Sequence, residues 1–153
     1  ARFVMTHREP SEVMLSVVDV YCDIASRFTD QVDMHYMAEL NVRHWSEGMR
    51  RALAFRDTDD NDARFYDIDF RAMQNDPIAE VRGLYRWLGE SVDATFDNAM
   101  AHWWQENSEN REPGTHRQPE EYGVDIRQVR ALFAEYAGRL ASWTSREKTP
   151  YGN

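Results

Sequence analysis

Apolar and polar positions along the chain sort into two short apolar runs and several longer stretches at helical spacing. Arg2 to Thr6 (RFVMT) is a β-branched, apolar run that reads as a buried strand, closed by the polar turn His7-Arg8-Glu9-Pro10. Beyond the turn, Val13, Met14, Val17, Val18, Tyr21, Ile24, Ala25 and Phe28 recur at helical spacing, and Ser11 or a residue beside it is placed to cap that helix. A second helix is expected over about 35–56, with Ala38, Val42, Trp45, Met49, Ala52 and Leu53 on one face. The acidic stretch Asp57-Thr58-Asp59-Asp60-Asn61-Asp62 ends it. That stretch lacks the glycine and glutamate spacing of a calcium loop and reads as a solvated turn.

Arg64 to Ile68 reads as a second short strand. Asp76 then caps a helix with Pro77 in the first position, Ile78, Val81, Leu84, Tyr85 and Leu88 inward, and Gly89 as the stop. Asp93 to Glu106 is a further helix carrying Phe96, Met100, Trp103 and Trp104. The polar, proline-bearing stretch from Asn107 to Gly123 is the longest irregular segment and a candidate functional loop. Asp125 caps a last helix with Val129, Leu132, Phe133, Tyr136, Ala137 and Leu140 on its buried side. These elements make one domain over residues 1–143, followed by a frayed tail over 144–153.

Composition narrows the function classes. The 153 residues are 42% hydrophobic and 12% aromatic, which supports a packed core and excludes disorder. Eighteen basic against 27 acidic side chains give a net charge of −9, which argues against a nucleic-acid or anionic-membrane surface over most of the chain. A phosphate site must then be a local exception. No apolar run approaches a membrane span and no leader-like segment opens the sequence, so a cytoplasmic protein is expected. The single cysteine, Cys22, sits among apolar residues and reads as core filler. His35, His44 and His102 lack metal-ligand spacing, and no metal is expected. Trp45, Trp87, Trp103 and Trp104 read first as core residues, with an acceptor pocket as the other reading. The two strands are each followed by a helix, as parallel strands are, and such strands are normally buried in a larger sheet. With the first strand starting at residue 2 or 3, further strands are expected upstream of Ala1.

One constellation carries chemistry. A strand, a loop with an arginine and a helix with a serine together make an anion site, because a helix N-terminus offers amide donors and a partial positive charge. Ser16 follows Arg8 by eight residues. With Ser16 in the second helical turn, its hydroxyl and the Arg8 guanidinium can grip one phosphate, the arginine bidentately. The competing reading is a surface arginine and a serine bonded to its own backbone.

The segment Thr6-His7-Arg8-Glu9-Pro10-Ser11-Glu12-Val13-Met14-Leu15-Ser16 resembles a motif of the sulfotransferases that use 3′-phosphoadenosine 5′-phosphosulfate: a strand ending in Arg-x-Pro, with a Ser eight residues after the Arg. The resemblance implies that Arg8 and Ser16 hold the 3′-phosphate of the nucleotide. Asp67-Ile68-Asp69-Phe70-Arg71-Ala72, continuing through Asp76-Pro77 to Leu88-Gly89, is similar to the family's strand, acidic turn and Asp-Pro helix. There Phe70 stands where a Tyr near the adenine is usual, and Arg71-Ala72 replaces the usual Glu-Asp pair. Adenine stacking survives that change; a hydroxyl bond does not. The late segment Gly114-Thr115-His116-Arg117 leading to Tyr122-Gly123-Val124 looks like the C-terminal segment of the bacterial branch, which makes Arg111, His116 and Arg117 candidate phosphate contacts.

The resemblance implies an α/β, P-loop-type sulfotransferase fold, mostly helical in this chain, with two short parallel strands of an incomplete sheet. It implies transfer of a sulfuryl group from 3′-phosphoadenosine 5′-phosphosulfate to a hydroxyl or amine of a small-molecule, glycan or lipid acceptor, without a metal. The family's phosphosulfate loop and its catalytic base are expected upstream of residue 1. That makes this chain the nucleotide-binding part of an enzyme, inactive alone, its partner the N-terminal remainder or a second copy. Two other readings remain open: a non-catalytic helical interaction module, and a fragment of a kinase-like nucleotide-binding enzyme.

Overall fold

A computed structural model describes residues 1–108 and 117–145. The chain divides into two compact units: Ala1–His7, Asp60–Gly114 and Ser142–Asn153 form the first, Arg8–Asp59 and Thr115–Ala141 the second.

The first unit is built on two strands, β1 (Phe3–His7) and β2 (Phe65–Asp69). They pair in parallel, in the register Phe3 opposite Phe65 through His7 opposite Asp69. This is the expected arrangement, with each strand one residue later than the sequence placed it. A parallel pair cannot close through a hairpin, and the long intervening segment supplies the crossover. The Phe3 and Phe65 rings stack at 4.8 Å, and the Arg64 guanidinium lies 5.4 Å above Phe3. A short helix not foreseen in the sequence, α3 (Phe70–Asn75), follows β2 directly because the Asp69 carboxylate accepts from the amides of Arg71 and Ala72.

Helix α4 (Pro77–Leu88) matches its sequence signals at both ends: Asp76 accepts from the Ala79 amide at 2.9 Å, and Gly89 turns out in the left-handed region with φ 78°. The amide of Glu90 reaches back to the Tyr85 carbonyl, and the Arg2 guanidinium donates to the Leu88 carbonyl, so orphan acceptors at the helix end are used. Asp93 caps α5 (Ala94–Ser108) by accepting from Phe96, and Arg82 clamps Asp97 with two nitrogens, tying α4 to α5. The core of this unit is Tyr66, Ile68 and Trp87, with Met73, Leu84 and Leu88 against it.

Gly83 belongs to that core. A Cβ there would overlap the Tyr66 hydroxyl, and Tyr66 is held in place by burial and by Trp87, whose ring lies 5.5 Å away. Gly83→Ala is therefore expected to destabilise by about 1–2 kcal/mol in urea unfolding, the overpacking exceeding the gain in helix propensity. Gly48 faces open space, and Gly48→Ala should stabilise by about 0.5–1 kcal/mol.

The second unit is helical. It comprises α1 (Pro10–Ala25), α2 (Met34–Arg56), a 3-10 turn over Pro119–Tyr122, α6 (Ile126–Leu132) and most of α7 (Ala134–Ser145). Val18, Cys22, Ala38 and Tyr122 form its core, lined by Leu15, Val32, Met34, Met37 and Val124. Cys22 is core filler, as read. The buried row of α1 is Met14, Val18 and Cys22; Tyr21 and Ile24 lie on the exposed side, and Phe28, expected in this helix, lies beyond its end and is 85% exposed. Apolar residues occur on both sides of this helix, so periodicity alone did not select the buried one. Trp87 is buried, whereas Trp45 and Trp103 are about half-exposed, against the core reading. The expected single last helix is divided at Phe133, whose backbone leaves helical geometry, and Leu132 is exposed. No proline or glycine marks that break.

Each unit holds a buried tyrosine whose hydroxyl is pushed up to about 12. Tyr66 is raised first by burial and then by Glu80; Tyr122 is raised first by burial and then by its bond to Asp19. A raised folded value means the native state keeps its proton where the unfolded chain releases it. The associated stability is complete below about pH 10 and lost as pH rises toward 12. Thermal unfolding followed across that window should show a falling midpoint, and Tyr66→Phe should flatten the fall.

Candidate functional site

In the second unit the step into α1 is made by Arg8, Glu9 and Pro10. Glu9 caps the helix: its carboxylate accepts from the Glu12 amide at 3.0 Å and from the Ser11 hydroxyl, and Arg130 approaches at 3.5 Å. Burial raises the Glu9 carboxyl, but the Ser11 hydroxyl, the two amides and Arg130 outweigh it and hold the group below the usual carboxylate range. The cap is thus Glu9 rather than Ser11. The first-turn amides that the sequence offered to an outside anion are in contact with the chain's own carboxylate.

Arg8 donates from Nε to Glu12 Oε2 at 2.9 Å. Both side chains are well exposed, 38% for Arg8 and 44% for Glu12, so the pair is solvent-screened and readily exchanged. Glu12 and Ser16 are one turn apart on one helix face, which lays the Arg8 head group along the face that carries the Ser16 hydroxyl. Ser16 is partly buried and stands in the second turn, where the sequence placed it.

Arg117 lies on that same helix. Its two terminal nitrogens meet Asp19 at 2.9 Å and Asp23 at 3.1 Å, and the buried Tyr122 donates its hydroxyl to Asp19. Bonding to Tyr122 and Asp23 raises the guanidinium further above its ordinary value, so it stays charged at every working pH. Arg111 and His116, the other candidates of this segment, lie outside the described residues. Gly123 follows in the left-handed region at φ 65°, with the His35 ring packed over it and His35 Nδ1 3.3 Å from the Tyr122 carbonyl.

In the first unit, Phe70 is half-buried and opens α3 at the C-terminal end of β2, the end of a parallel sheet where ligands sit in α/β folds. His7 departs from its reading as a turn residue. It is the last residue of β1, 2% exposed, and its Nε2 donates to Asp67 Oδ1 at 2.7 Å, with the Trp143 ring 5.4 Å from the imidazole. Sequence reasoning missed this pair because the partners are 60 residues apart and meet only through strand pairing. It missed the Asp19 and Asp23 pair on Arg117 for a different reason: spacing of i, i+4 marks a shared helix face but not the distant arginine that covers it.

Among the described residues no helix is long and apolar enough to cross a membrane, and no group of three His, Cys, Asp or Glu side chains is placed to hold a metal.

Comparison with known structures finds a likeness to the crystal structure of sulfotransferase STF9 from Mycobacterium avium, at 23% identity and a TM-score of 0.79. The likeness covers 90% of this chain and 36% of that one, so the chain spans about a third of the length of its structural relative. It establishes the fold: an open, P-loop-like α/β arrangement, mostly helical here, with two parallel strands. Comparison with curated protein sequences gives no significant match. A family model described as "Sulfotransferase family" matches residues 1–94, more than half of the chain and the whole stretch from β1 through the end of α4. The chain belongs to the sulfotransferase family.

Proposed function

We propose that this chain is the nucleotide-gripping part of a cytoplasmic enzyme that moves a sulfuryl group from 3′-phosphoadenosine 5′-phosphosulfate to a hydroxyl or amine of a small-molecule, glycan or lipid acceptor. The observation that supports it most is the placement of Arg8: its head group is parked on Glu12, one turn before Ser16 on the same face of α1. An arriving 3′-phosphate exchanges one carboxylate for a dianion without moving the arginine to another surface. Ser16 adds a hydroxyl donor, and the Phe70 ring offers an apolar face to adenine.

In the reaction, the acceptor attacks sulfur in line, the S–O bond to the nucleotide breaks, and adenosine 3′,5′-bisphosphate leaves with the electron pair. The residues described here bind and orient the nucleotide so that attack is unimolecular in effect. We assign no base among them. Arg111 and His116 remain the proposed further phosphate contacts. Calorimetric titration of the chain with adenosine 3′,5′-bisphosphate and with ATP tests the reading: preference for the bisphosphate supports it. Preference for ATP would instead favour a kinase-like site, and absence of nucleotide binding a helical interaction module.

A further inference from the structure

Ser16, Asp19 and Asp23 stand at i, i+3 and i+7 and therefore share one face of α1. Two carboxylates on the face of a proposed phosphate ligand are an electrostatic problem. Asp19 is one turn from Ser16, with side chains on neighbouring turns about 5–6 Å apart at Cβ. At that range a carboxylate opposes an incoming dianion even through water, and more strongly where Asp19 is shielded, its side chain being 15% exposed.

The structure puts a single guanidinium on both carboxylates. Arg117 Nη1 is 2.9 Å from Asp19 and Nη2 3.1 Å from Asp23, and Tyr122, 1% exposed, donates its hydroxyl to Asp19 as well. The segment that brings these groups is fixed from several sides. Gln118 and Glu121 form a capping box around the 3-10 turn, His35 packs over Gly123, and Arg130, further along the same segment, reaches Glu9 at the start of α1. Arg117 is thus held against α1 with its fork already filled.

We infer that Arg117 serves the phosphate site as a positioning residue, by neutralising Asp19 and Asp23 beside Ser16, and does not itself grip the phosphate. This rests on the nucleotide reading above and changes the part of one residue in it. A gripping arginine must turn its fork to the phosphate, which the exposed position of Arg8 beside Glu12 allows; Arg117 has its fork spread over two carboxylates. Arg117 then contributes to affinity by cancelling charge rather than by contact.

A mutant cycle on the 153-residue chain separates the two roles, read as the dissociation constant of adenosine 3′,5′-bisphosphate at low and high salt. Arg117→Gln should weaken binding by about five-fold at low salt, and by less at high salt, since the exposed Asp23 is screened while the shielded Asp19 is screened less. Adding Asp19→Asn and Asp23→Asn to Arg117→Gln should return affinity to within about two-fold of the parent. The carboxamide introduced by Asp19→Asn retains an acceptor for the Tyr122 hydroxyl. A triple variant as weak as Arg117→Gln alone would overturn the inference, because a lost contact is not restored by removing aspartates. Unfolding curves check that each variant folds. If Arg117→Gln does not, Arg117→Lys replaces it: a neutralising role predicts nearly parental affinity, whereas loss of about ten-fold would mark a direct grip and overturn the inference. Absence of binding by the parent chain would remove the nucleotide site and this inference together; binding without rescue removes this inference alone.

Discussion

Arg8→Ala is expected to weaken adenosine 3′,5′-bisphosphate binding by about 2 kcal/mol or more, roughly 30-fold, and Ser16→Ala by about 1 kcal/mol, roughly five-fold. The order follows from the chemistry. The guanidinium loses a charge-assisted, two-nitrogen contact with a dianion, whereas the serine loses one neutral donor. The Arg8 and Glu12 pair that must break is exposed and offsets only tenths of a kcal/mol. Titration calorimetry on the two variants checks both numbers and their ranking. Equal affinity for the parent and Arg8→Ala would remove Arg8 from the site.

The second large effect is on stability. His7 and Asp67 are buried, and their contact satisfies a ring nitrogen and a carboxylate oxygen inside the first unit. Asp67→Ala removes the acceptor of a buried imidazole N–H and is expected to cost about 3 kcal/mol in urea unfolding, since a buried donor deprived of its acceptor bears its desolvation penalty. Replacing both residues by apolar ones, His7→Leu with Asp67→Leu, should recover much of that loss. A single Asp67→Ala variant as stable as the parent would show that the pair carries no net energy.

The fold was legible where local chemistry decides it. The Asp76-Pro77 start and Gly89 stop of α4 could be read directly, because a cap, a fixed φ and a left-handed exit are properties of single residues. Both strands and their parallel relation followed from two apolar runs with helices between them. Helix faces were harder. In α1 both sides are apolar, and the choice of Val18 and Cys22 over Tyr21 and Ile24 was made by Ala38 and Tyr122, which lie far along the chain. The break at Phe133 had no local signal. Of the candidate site, the position of Ser16 in the second turn of α1 was visible from spacing. The occupation of the first-turn amides by Glu9 was hidden, because a Glu at the cap position is an uncommon choice where Ser, Thr, Asp or Asn is expected. The same holds for the two aspartates on Arg117, a contact spanning more than 90 residues.

Adenosine 3′,5′-bisphosphate and adenosine 5′-phosphate differ only by the 3′-phosphate that Arg8 and Ser16 are proposed to hold. Calorimetry of both nucleotides on the parent chain and on Arg8→Ala therefore isolates that phosphate. The parent should bind the bisphosphate at least ten-fold more tightly, a difference of about 1.4 kcal/mol, and Arg8→Ala should remove most of that preference while binding the monophosphate as before. Equal affinities for the two nucleotides in the parent, or a preference that survives in Arg8→Ala, would contradict a 3′-phosphate site built on Arg8.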